Sequence, residues 1–183
     1  MSKSFDARHL DVKSFAEEGG ELVGREPVRH FERLFAETHG RGPDSPVTWS
    51  ARGEMLDPRR VHPQVWLHLK AGALLSLTCQ RCLAPVEVPV AVDRAFRFVG
   101  DEETAAAEDD KSEEDVLALS RNFDVVALVE DELLMELPLA PRHETCAPVH
   151  LAVADEAFEG SSARHENPFA VLGRLKAPGK PDE

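Results

Sequence analysis

Between residues 47 and 99 apolar and polar side chains alternate with a period of two. Val47-Thr-Trp49-Ser-Ala51 and Val65-Trp-Leu67-His-Leu69 follow it, and residues 73–78 form a mostly apolar run. Val86, Val88, Val90 and Val92 then alternate with Glu87, Pro89, Ala91 and Asp93, and Phe96 and Phe98 continue the series. That period belongs to half-buried strands. Turn signals stand at Gly53, Asp57-Pro58, His62-Pro63, Gly72 and within residues 78–83. Four or five strands with short connections predict an antiparallel β meander or a small, partly open barrel. Pro89 cannot donate to a ladder and so predicts that its strand runs, at least locally, along an edge.

Helical periodicity flanks this region. After Pro27, the apolar stripe Val28, Phe31, Leu34 and Phe35 predicts one short helix ending near His39-Gly40. Residues 11–24, with Phe15 and Leu22-Val23 around a Gly19-Gly20 break, read as irregular with a helical turn. Asp124 is a candidate N-cap for the main covering helix, whose stripe is Val126, Val129, Leu133 and Leu137 before Pro138. Glu130, Asp131, Glu132 and Glu136 fall on its other side, expected to be solvated. The fold class is therefore α+β: a single domain over residues 1–150, its sheet covered by one main helix. Residues 100–115 have little to bury and predict a mobile acidic loop; residues 151–183 predict a flexible C-terminal tail with a short helical motif at 167–176.

The chain has 183 residues and a net charge of -13, and the charge is unevenly placed. Residues 101–115 hold nine acids and one Lys, whereas residues 25–97 hold eleven Lys or Arg and eight acids. A polyanion is thus repelled by the acidic stretch and tolerated by the middle of the chain. No leader pattern and no membrane-spanning apolar run is evident, which predicts a cytoplasmic protein without a membrane partner.

Three cysteines give no disulfide framework. Cys79 and Cys82 form a C-x-x-C pair that admits three readings: half of a metal site, a redox pair, or two thiols in a turn. Redox exchange expects a helix after the motif, and Pro85 with its period-two valines predicts a strand instead. His143 and Cys146 repeat the same spacing beyond the covering helix, so Cys79, Cys82, His143 and Cys146 make a candidate zinc site. The sixty intervening residues exceed ordinary finger spacing. No phosphate-cradling or nucleophile motif occurs, so neither catalysis nor a small-molecule substrate is expected. Glu132 and Glu136, one turn apart, could hold a cation but read as a solvated helix face. Arg52, Arg59, Arg60, Lys70, Arg81, Arg94 and Arg97 form a candidate RNA-binding face, with Trp49, Trp66, Phe96 or Phe98 available for stacking. Phe169, Leu172 and Leu175, flanked by Arg174 and Lys176, form a candidate partner-docking segment; packing back onto the domain is the alternative.

C-Q-R-C at 79–82, V-E-D-E-L-L-M-E-L-P at 129–138, P-R-H-E-T-C at 141–146 and N-P-F-A-V-L-G-R-L-K at 167–176 together resemble the YceD family, described as large ribosomal RNA subunit accumulation proteins. Leu83 departs from a glycine associated with that position in relatives. The resemblance implies a non-enzymatic ribosome-biogenesis factor supporting synthesis, processing or stability of large-subunit ribosomal RNA. Its expected partners are that RNA or a pre-ribosomal particle. The alternative is an adaptor that acts through a basic ribosomal or assembly protein and affects the RNA indirectly.

Overall fold

The computed structural model describes residues 4–58 and 63–146. In chain order these residues form α1 (Val12–Glu17), β1 (Glu21–Pro27), a 3-10 turn (Val28–His30), α2 (Glu32–Glu37), β2 (Pro46–Leu56), β3 (Gln64–Thr78), β4 (Pro85–Val99), α3 (Glu102–Asp109), β5 (Asp115–Ala118) and α4 (Val125–Met135). The strands make one open sheet in the order β1-β2-β3-β4-β5. The first three pairings are antiparallel and β5 joins β4 in parallel. The meander reading holds, and the sheet does not close into a barrel.

The period-two pattern builds the core. Val47, Trp49 and Ala51 of β2, Val65, Leu67 and Leu69 of β3, and Val92, Phe96 and Phe98 of β4 are buried on one face. They pack with Val12 and Phe15 of α1, Leu34 of α2 and Val125, Val129 and Leu133 of α4 in one cluster. The cover is therefore shared by short helices, where the sequence predicted one main helix. Pro89 lies on a local edge as expected, because β5 pairs only with residues 96–99 of β4.

Two glycines expected at turns lie inside strands. Gly72 pairs with both Thr48 and Ala91, so the runs on either side of it merge into one 15-residue strand. Gly53 sits where α1 crosses the sheet: a Cβ there would stand 2.7 Å from the Phe15 ring and 2.8 Å from the Phe15 carbonyl oxygen. Its missing side chain permits that approach.

Val28, Phe31 and Leu34 of the stripe are buried and Phe35 is partly buried, but the helix breaks at Phe31, which leaves helical dihedrals (φ -108°, ψ 88°) to enter the core. Phe31 cannot cap α2. The Glu130 carboxylate of α4 replaces the cap, accepting from the backbone N–H groups of Arg33 (2.8 Å) and Leu34 (3.2 Å) while pairing with the Arg33 guanidinium. Side-chain caps contribute about 1 kcal/mol. Glu130→Ala should accordingly lower unfolding stability by about 1–2 kcal/mol in a urea titration, with Glu130→Gln recovering part of it.

The acidic stretch is not a structureless loop. Asp101 accepts from the Thr104 N–H at 2.9 Å and caps α3, Glu102 and Glu103 occupy the first turn, and Ala105 is buried. Arg97, only 14% exposed, binds Glu108, Glu114 and Ser112. Acids at a helix N-terminus suit its dipole, and an arginine beneath them reduces their mutual repulsion.

Candidate metal centre

The turn between β3 and β4 carries the first cysteine pair. Cys79 N–H donates to the Ala84 carbonyl and Leu83 N–H to that of Cys79, each at 2.9 Å, folding residues 79–84 into a knuckle. Leu83 has φ +62° and is 75% exposed. The left-handed conformation explains why glycine suits this position, since a Cβ makes it costly by roughly 1 kcal/mol. Leu83→Gly should therefore be neutral or raise stability by up to about 1 kcal/mol, read as an unchanged or higher melting temperature.

The second pair arrives from beyond α4. Gln80 N–H donates to the Pro141 carbonyl at 2.8 Å, laying residues 141–146 against the knuckle. Cys79 Sγ then lies 3.6 Å from Cys146 Sγ, and His143 Nδ1 lies 3.4 Å from Cys82 Sγ and 3.7 Å from Cys146 Sγ. All four donor atoms fall within 4.8 Å of one another. With Zn–S bonds of about 2.3 Å and Zn–N of about 2.0–2.1 Å, a tetrahedral site separates two sulfurs by about 3.8 Å and sulfur from nitrogen by about 3.6 Å. The close pairs match those separations. His143 Nε2 meets the Pro85 carbonyl at 2.9 Å, so that nitrogen carries the proton and Nδ1 is left as the donor toward the cluster.

The electrostatics suit a cation. Burial pushes the Cys79 thiol up, but the backbone amides of Cys82, Arg81 and His143 outweigh it and hold it at about 5. Chiefly through its hydrogen bond from the Arg81 guanidinium, Cys146 is also lowered. The Ala84 amide favours the Cys82 thiolate, yet burial and the neighbouring thiols push this group up on balance. His143 is raised by Cys146 and Cys79. Three thiols and an imidazole this close cannot all be deprotonated without a positive charge among them, which a divalent metal supplies. The donor set and spacing thus fit a metal, and Arg81 offsets residual negative charge.

The other candidate residues are dispersed. Arg52, Lys70 and Arg97 belong to the open face of the sheet, Lys70 paired with Asp93 and Arg97 held by α3 and the residues after it. Arg94 points to the helix-covered face, where it binds Asp115 (2.6 Å) and approaches Glu132 (3.6 Å). Arg81 stands on the knuckle, while Arg59 and Arg60 lie outside the described residues. The seven therefore do not form one face. Trp49, Phe96 and Phe98 are buried, leaving Trp66 as the stacking residue on the open face. The docking segment Phe169, Leu172, Arg174, Leu175 and Lys176 also lies outside the described residues. Glu132 is 4% exposed, not solvated, because its place one turn after Val129 and two turns after Val125, both buried, turns it inward toward Arg94. Only a carboxylate at a helical spacing from buried apolar neighbours signals this in the sequence.

The profile of the family described as large ribosomal RNA subunit accumulation protein YceD matches residues 67–176, more than half of the chain. The chain is similar to the Large ribosomal RNA subunit accumulation protein YceD of Haemophilus influenzae, 28% identical over 161 residues that cover 85% of this chain and 87% of that protein. No solved structure matches significantly.

Proposed function

The chain belongs to the YceD family, and from that membership we propose that it supports synthesis, processing or stability of large-subunit ribosomal RNA as a non-catalytic cytoplasmic factor. The carrying observation is the family match, which spans the knuckle, the second half of the cluster and α4. Zinc is the metal that the Cys79, Cys82, His143 and Cys146 set suits best, because three thiolates and one imidazole in a tetrahedron are a structural zinc set. Its role is mechanical: it fastens the chain after α4 to the turn between the long strands. Large-subunit RNA or a pre-ribosomal particle is the partner. Depletion in the native cell should lower large-subunit RNA relative to small-subunit RNA and shift the subunit profile; unchanged levels with normal subunits would remove this reading.

A second reading is favoured by the net charge of -13 and by the capture of Arg94 and Arg97 by carboxylates. Here the protein is an adaptor whose acidic surface engages a basic ribosomal or assembly protein, affecting the RNA indirectly. Retention of a basic ribosomal protein by the purified chain, without any retention of ribosomal RNA at low salt, would favour it.

A further inference from the structure

Within the ribosomal reading above, we propose that the open face of the sheet binds single-stranded RNA by seating an unpaired base between the Trp66 and His68 rings. Those side chains are two apart on β3, their ring centroids 6.5 Å apart and their planes 13° from parallel. A strand advances about 3.3–3.4 Å per residue, so rings at i and i+2 stand about two stacking layers apart. One layer in a nucleic-acid stack is about 3.4 Å. The spacing therefore accepts one flat ring between them.

Hydrogen bonds fix both walls of this slot. Trp66 Nε1 donates to Gln64 Oε1 at 3.1 Å, and His68 Nε2 meets Glu54 Oε2 at 2.8 Å. Across β4 the residue paired with His68 is Ala95, whose small side chain leaves that flank open. Across β2 it is Arg52, which is exposed and has no ion-pair partner among the described residues. Lys70 follows His68 on the same face, opposite Ser50. A base in the slot thus has an unpaired guanidinium beside it for a phosphate, and a second cation one step along the strand. Directly across from Trp66 on β4, Arg97 is already occupied by Glu108 and Glu114, and the acids of α3 repel a polyanion from that flank. The RNA backbone consequently tracks from Trp66 toward Lys70.

Asp93 offsets Lys70 and the Glu54 carboxylate lies against the His68 ring, so stacking contributes more to affinity here than charge. A duplex keeps its bases stacked inside and cannot enter the slot, which makes the site selective for single strands.

The test uses the full chain with its metal and a short single-stranded oligoadenylate, read by tryptophan fluorescence. Because Trp49 is buried, quenching reports Trp66. Saturable quenching is expected at low salt, with little competition from the corresponding duplex. Trp66→Ala should weaken binding, followed by labelled RNA, about tenfold or more, Trp66→Phe should retain most of it, and Arg52→Gln should weaken it severalfold. No saturable binding by the wild-type chain, or equal binding by Trp66→Ala, would overturn the proposal. So would a loss on Trp66→Ala of binding to a basic ribosomal protein with RNA binding unchanged, which would make the face a protein interface. The two readings fail separately: a depletion phenotype without oligoadenylate binding removes the slot alone, and a Trp66-dependent RNA site without a depletion phenotype removes the ribosomal assignment alone.

Discussion

Replacing Cys146 by Ser is expected to release the metal and to lower the melting temperature by roughly 6–10 °C. Cys146 Sγ lies 3.6 Å from Cys79 Sγ, and with His143 it is a ligand delivered from beyond α4. A ligand that binds only the folded chain at a hundredfold excess over its Kd adds about 2.7 kcal/mol of stability. For a chain of this length 1 kcal/mol corresponds to about 2–4 °C. The domain should not unfold outright, because the core between the sheet and α1, α2 and α4 does not include a metal ligand other than Cys79. Calorimetry of wild-type and Cys146→Ser proteins, each with and without chelator, checks this. Chelator should move the wild type to the mutant's melting temperature and leave the mutant unchanged.

The second large effect concerns Arg94, which holds β5 through Asp115 and faces the buried Glu132 of α4. Glu132 Oε2 has no hydrogen-bond partner among the described residues, so Arg94 supplies the compensating charge. Removing one partner of a buried pair costs about 3–5 kcal/mol. Arg94 is 38% exposed, which reduces the expected loss for Arg94→Met to about 2–3 kcal/mol. Glu132→Gln should cost little, and the double substitution Arg94→Met/Glu132→Gln should recover most of the Arg94→Met loss in urea titrations. Burial raises the Glu132 carboxyl above its ordinary range, with Arg94 opposing. The folded chain then binds a proton that the unfolded chain has released, so this group's contribution to stability is present at low pH and is lost as pH rises through the raised value. Glu132→Gln should flatten that part of the stability-pH curve.

The sheet was legible because period-two burial writes itself into the sequence wherever one face is covered, as at 86–92 and 96–98. Gly72 misled because a glycine in the middle of a long strand carries the same letter as a glycine in a turn. β1 escaped notice because it is an edge strand with Val23 exposed, Gly24 beneath the Trp49 indole and Pro27 at its end, leaving no alternation to read. The acidic stretch concealed α3 because its order comes from Arg97, a residue on another element. The same holds for the Glu130 cap on α2 and for Glu132 with Arg94. Local patterns revealed each half of the metal site, and matching spacing linked them. The contact that joins them, Gln80 to Pro141, is a backbone hydrogen bond with no sequence signature.

Elemental analysis of the full chain purified without chelator is the most direct measurement of the claim that these halves are one clasp. One zinc per chain is expected, falling to none in the Cys79→Ser/Cys146→Ser protein. A wild-type chain that carries no metal, takes up none when zinc is supplied, and melts at the same temperature with or without chelator would contradict it.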